Sequence, residues 1–133
     1  MLDKQFILGG NATFTVQNPK GDYYTFKVRQ PKADMPHFIS LLTGPDNENS
    51  FTYLGMVFPD NGQVKTTAKS KMTPDSLPVK VAAFALRCVW GSQNLPEGYQ
   101  IRHEGKCGCC GRKLTTPESL DRGIGPECIK KFA

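Results

Sequence analysis

Three of the chain's five cysteines and one of its two histidines fall within HEGKCGCCGRKL, residues 103–114. Cys128 follows nearby, whereas Cys88 stands apart. Thiolate and imidazole are the donors that zinc prefers, usually four of them in a tetrahedron. His103, Cys107, Cys110 and Cys128 supply such a set. The Cys-x2-Cys spacing lets two thiolates of one tight turn reach one ion, and Gly108 and Gly111 suit that turn. Cys109 competes with its neighbours, so an all-cysteine site using it in place of His103 is the alternative. Cys128 sits at the start of PECIKKF, where a helix N-terminus favours a thiolate.

Other chemistries of the same residues fit less well. A redox Cys-x2-Cys pair belongs to a βαβ setting that this chain lacks. A disulfide framework favours spread, even-numbered cysteines in an oxidising compartment, and here the count is odd and the residues cluster. A catalytic zinc keeps one coordination position open and has an acid or base beside it. Four candidate ligands argue instead for a closed site. Glu104 follows His103, yet the second histidine of a HExxH motif is missing, and the spacing differs from the H-x-E and P-C-x2-C of zinc deaminases. GPDN and GIGP are turn-rich words and not phosphate cradles, and there is no triad or acid pair. The expectation is one structural Zn²⁺ and no enzymatic activity.

The elements around this cluster divide the chain. With 133 residues it can hold one ordinary core. ATFTV (12–16) and YYTFKVR (23–29) both alternate, with the turn word QNPKGD between them, and predict a hairpin. MPHFISLLTG (35–44) reads as one or two helical turns. SFTYLGMVF (50–58) and the basic QVKTTAKSK (63–71) predict two further strands around the turn DNG. TPDSLPVKVAAFALRCVW predicts the main helix, capped by Asp75 or Ser76, with Leu77, Val81, Phe84, Ala85 and Cys88 on one stripe. The fold class is therefore α+β. An antiparallel sheet of about four strands packs on one main helix over residues 1–98. A treble-clef or zinc-ribbon-like subdomain follows over 99–133. Residues 101–133 hold six large apolar residues, too few to offset the ordering of about thirty, which is a separate argument for a metal.

HEGKCGCCGRKLTTPESLDRGIGPEC resembles the C-terminal signature of a family of small bacteriophage, prophage and plasmid zinc-binding proteins, H-x3-C-G-x-C-G-R-x-L-T, then P-E-S and G-I-G-P-x-C. GGNATFTV, YTFKVR, LLTGPDNENSFTYLG and the Lys69–Ser70 pair are similar to its N-terminal part. That family is classed as a domain of unknown function. The resemblance implies a phage-type context and a zinc site. By position it places the ligands on His103, Cys107, Cys110 and Cys128, with Cys109 at a variable position.

The net charge of +5 points to a polyanionic partner. Tyr23, Lys27 and Arg29 share the outer face of the hairpin. Lys65, Lys69 and Lys71 follow on the basic strand, and Arg112 and Lys113 follow the cysteine turn. An aromatic among cations on a sheet suits single-stranded DNA or RNA. The alternative is a protein-interaction module that binds and inhibits or redirects a host protein, with GPDNENS and NLPEGY as presentation loops. No transmembrane run of ~18 apolar residues or signal peptide is seen, so the expected location is cytoplasmic, with no membrane or small-molecule partner.

Overall fold

The computed structural model describes residues 2–45 and 50–132. The centre of the GPDNENS loop, residues 46–49, thus lies outside the described residues. A single helical turn, α1 (Lys4–Ile7), precedes β1 (Asn11–Gln17) and β2 (Tyr23–Arg29). Next come β3 (His37–Leu42), β4 (Phe51–Val57), the short β5 (Val64–Lys65) and the main helix α2 (Leu77–Val89). The chain ends with β6 (Gln100–His103), α3 (Pro117–Arg122) and a 3₁₀ turn over Cys128–Phe132.

All strand pairs are antiparallel, and the sheet runs β5-β4-β3-β2-β1-β6. Six strands replace the four expected, for two reasons. MPHFISLLTG forms β3 and no helix, because burying His37, Ile39 and Leu41 on alternate positions satisfies a period of two. QIRH, too short to stand out in the sequence, pairs with β1 as an edge strand, with Val16 opposite Ile101 and Thr15 opposite Arg102. Residues 100–103, grouped in the sequence reading with the C-terminal segment, thereby belong to the sheet. QVKTTAKSK contributes only Val64 and Lys65 as strand.

The alternation expected for the hairpin sets the two faces of the sheet. Ala12, Phe14, Val16, Phe26 and Val28 point inward and are buried. They join Ile39, Leu41, Leu54 and Ile101, and α2 covers them with Val79, Ala82, Ala85 and Leu86. A bulge between β3 and β4 places Ser40 opposite Tyr53 and Ile39 opposite Gly55, with Leu54 as the extra residue. The inward line of α2 differs from the predicted stripe. Cys88 and Ala85 are buried as expected, but Leu77 is 61% exposed. Ser76 occupies the N-cap position and Pro78 the first turn, where its missing N–H costs nothing.

The C-terminal segment docks on this core through Phe6, which is fully buried. Its ring lies between two glycines. A Cβ on Gly108 would come within 2.7 Å of Phe6 Cδ1, and one on Gly123 within 2.6 Å. Gly123 also has φ +77° as the left-handed C-cap of α3, so it serves both the helix end and the close approach. Asn11 adds two bonds, its N–H to the Gly108 carbonyl at 2.7 Å and its side-chain amide to the Cys109 carbonyl at 2.8 Å. Phe6→Ala is expected to cost about 3–5 kcal/mol, the range for emptying a phenylalanine-sized core site. Gly123→Ala should also destabilise, through both strain and the clash. Urea unfolding of the whole chain measures both, and a loss under about 1 kcal/mol for Phe6→Ala would contradict its role as the joint.

Candidate functional site

Lys106 to Lys113 form a knuckle. Cys107 N–H donates to the Arg112 carbonyl and Gly111 N–H to the Cys107 carbonyl, at 2.8 and 2.9 Å, while Leu114 N–H returns to the Gly105 carbonyl at 2.8 Å. This turn points backbone N–H groups at sulfur: Cys107 Sγ accepts from Cys109 N–H at 3.4 Å and from Gly125 N–H at 3.2 Å. Thr116 then caps α3, its side chain accepting from Ser119 N–H at 3.3 Å, and the GIGP turn carries Cys128 back to the knuckle. The sulfurs of Cys107, Cys110 and Cys128 lie within 4.8 Å of one another. Three cysteines converging so closely can hold a metal ion.

Their electrostatics favour a cation. Burial raises the Cys107 thiol, but hydrogen bonds from the Gly125, Cys110 and Cys109 amides outweigh it and bring the pKa to about 7. Burial, then hydrogen bonds with the Cys110 and Cys107 thiols and the charges there, push Cys128 up to about 12. The three sulfurs cannot all ionise beside one another unless a positive ion shares their charge. The local core is small: Cys107, Leu114, Ile124 and Cys128, with Cys109 and Ile129 against it. Two aliphatic side chains at about 1.5–3 kcal/mol each do not offset the ordering of this segment at about 1–2 kcal/mol per residue. Phe6, β6 and the thiol cluster hold it.

His103, expected as a metal ligand, lies outside the converging group. Its Nδ1 accepts from Gly105 N–H at 2.9 Å, and its Nε2 bonds the Leu120 carbonyl. Both ring nitrogens are thus committed to backbone, and the ring packs 5.9 Å from that of Phe6. The pairing of β6 explains this: Phe14 lies opposite His103, so the imidazole joins the inner face. Cys109 lies nearer the cluster. Burial, then the charge of Cys107, raise its thiol, which is within reach of both Cys107 and Cys128.

The other face of the sheet is open. Pairing arranges its side chains in rows. Arg29, Phe38, Met56 and Lys65 form one row; Thr13, Lys27, Ser40 and Tyr53 form the next. Arg102, Thr15 and Thr25 lead a third. Along the β1–β2–β6 end this face is a trough of about 750 Å³, walled by Tyr23, Lys27, Phe51, Arg102, Glu104 and Lys106 among others. Lys27 Nζ lies 5.7 Å from the Phe51 ring centre.

The structure brings together some of the basic residues expected to act. Tyr23 and Lys27 line the trough, and Arg29 and Lys65 continue its face. Lys69 and Lys71 fall in the turns after β5, beside Tyr53 at the edge of the sheet opposite β6 and away from the trough. Arg112 and Lys113 line a separate cavity of about 360 Å³ that opens on the thiol cluster. Sequence reasoning missed Arg102 and the aromatic residues Phe38, Phe51 and Tyr53. The alternation in SFTYLGMVF marked a strand, but only the bulged register shows which side chains face outward.

A metal bound by this cluster would have to displace protons, and the direction follows from the two shifted thiols. A bound metal would displace the proton of Cys128, whose thiol is pushed up to about 12, and also that of Cys107 increasingly as the pH falls below about 7. Above pH 7 Cys107 has already lost its proton and affinity rises less steeply. Below pH 7 both thiols must be deprotonated by the metal, so affinity falls more steeply with acid. Calorimetry in buffers of different ionisation enthalpy, repeated from pH 6 to 8, checks this; an affinity independent of pH would refute it.

Residues 100–133 match a family of unknown function (DUF6011), so the similarity spans β6, the knuckle, α3 and the Cys128 turn. No curated protein and no solved structure matches the chain.

Proposed function

We propose that the protein is a non-enzymatic, zinc-stapled binder of single-stranded nucleic acid that uses the open face of its sheet. The observation that carries this reading is the interleaving of aromatic rings and cations on that face. Tyr23, Phe51, Phe38 and Tyr53 stand among Lys27, Arg29, Lys65, Arg102 and Lys106. Bases stack on such rings whatever their identity, and the cations follow the phosphates. Tyr23, at 66% exposed, is free to accept a base without repacking.

Zinc is the metal that best suits the donor set, since thiolates in a tight knuckle select it over ions that prefer oxygen. Cys107, Cys110 and Cys128 are the ligands, and Cys109 is the protein donor best placed for the fourth position. The ion's role is structural: it holds Glu104 and Lys106 at the wall of the trough. Elemental analysis should find one zinc per chain. Cys128→Ser should lose it and His103→Ala should keep it; zinc lost from His103→Ala alone would restore the histidine as a ligand.

A second reading has its own observation. An apolar groove of about 750 Å³ runs between the β1–β2 turn and α2, lined by Tyr24, Leu77, Val81, Phe84, Pro96 and Tyr99. Part of NLPEGY forms its wall, as a presentation loop for a protein partner would. In the phage setting that the C-terminal resemblance implies, that partner is a host protein. Titration with oligonucleotides separates the two. If Lys27, Arg29, Lys65, Arg102 and Lys106 all meet phosphates, log affinity should fall against log salt with a slope of about −3.5. Tyr23→Ala should weaken binding by about 1–3 kcal/mol without altering the unfolding midpoint. Absence of binding at low salt would remove this reading and leave the groove.

A further inference from the structure

We propose that the trough reads guanine in a single strand, through the carboxylate of Glu104. This rests on the nucleic-acid reading above and adds a base preference to it. Glu104 follows β6 and its side chain enters a trough whose other charged lining residues are Lys27, Arg102 and Lys106. Among the described residues the carboxylate forms no ion pair with any of them. It is instead fixed by Thr15, whose hydroxyl bonds Glu104 Oε1. Thr15 is only 2% exposed, and its hydroxyl is held in turn by Thr25 Oγ1 at 2.8 Å. Arg102 is also pinned, its Nη1 donating to Gln17 Oε1 at 2.8 Å and to Gln100 Oε1 at 3.3 Å. The trough therefore holds a positioned acceptor with cations around it, of which Arg102 is fixed by hydrogen bonds. A complementary ligand carries hydrogen-bond donors at one end and negative charge at the other.

A nucleotide has that shape, and the bases differ in how they meet an ionised carboxylate, which can only accept. Guanine presents two adjacent N–H donors, the ring N1–H and the exocyclic amine, on its Watson–Crick edge, and both can bond one carboxylate. Adenine and cytosine place an unprotonated ring nitrogen beside their amine. Thymine and uracil flank their single N–H with two carbonyls. Each of these bases can offer a carboxylate only one N–H with an acceptor beside it, where guanine offers two. Single strands expose this edge, whereas a duplex consumes it, so the preference is confined to unpaired guanine. The volume of about 750 Å³ lies within the roughly 300–1,000 Å³ of sites that enclose small ligands, enough for one base against the Phe51 ring with its phosphates beside Lys27 and Lys106.

The test uses the whole zinc-loaded chain and fluorescence anisotropy with short oligo(dT) strands carrying one central guanine, inosine, adenine or cytosine. The guanine strand should bind about tenfold more tightly than oligo(dT), as a good bidentate pair discriminates. Inosine, which keeps N1–H and lacks the amine, should lie between them. Glu104→Gln should bring the guanine and thymine strands to equal affinity, with the fold checked by its unfolding midpoint. Strands that bind the unaltered protein equally would overturn the guanine assignment and leave the nucleic-acid reading standing. A guanine preference that survives in Glu104→Gln would overturn the role of the carboxylate. If no strand binds at low salt, both readings fall together.

Discussion

Three thiolates within 4.8 Å of one another are costly to assemble unless a cation shares their charge. The C-terminal part of the protein is organised around that constraint. Its own apolar core contains two aliphatic side chains, Leu114 and Ile124, besides the cysteines. Amide groups of the knuckle and of Gly125 turn toward Cys107 and lower its pKa to about 7, so part of the negative charge is present before any metal arrives. Cys128, at about 12, completes the set only when a cation displaces its proton. If a metal binds there, folding of this segment and metal uptake are one linked equilibrium.

The segment is not an independent appendage. Phe6 reaches into it from the N-terminal turn, and the two glycines against the Phe6 ring belong to the knuckle and to the end of α3. β6 leads out of the sheet directly into the knuckle. The position of Glu104 and Lys106 in the trough is thereby coupled to the thiol cluster, although neither touches sulfur as a ligand. A structural metal can in this way shape a binding face without taking part in binding.

The outer face has the same logic in polar form. Thr15 lies on the side of β1 that alternation assigns to solvent, yet it is 2% exposed because Glu104 and Thr25 cover it. Buried hydroxyls bonded in a chain have fixed directions. That fixed direction distinguishes a surface able to discriminate between ligands from one that is merely soluble. In the proposed reading the cations along the trough supply attraction, and the one carboxylate among them supplies selectivity.

Much of this was legible in the residues alone. The period-two pattern of ATFTV and YYTFKVR located β1 and β2 and sorted their faces, because a strand has only two sides. The apolar run from Leu77 located α2, and Thr116 with Pro117 located the start of α3. The spacing of Cys107, Cys110 and Cys128 located the thiol cluster, since turn geometry brings two of them together locally. What depended on long-range pairing could not be read this way. MPHFISLLTG became a strand because β2 and β4 flank it, and QIRH became one because β1 had a free edge. That second pairing turned His103 inward to the Leu120 and Gly105 backbone, away from the sulfurs. Composition and spacing determine which residues are able to bind a metal or a polyanion. The register of strands distant in sequence decides which of them face one another, because a shift of one residue exchanges the two faces of a sheet.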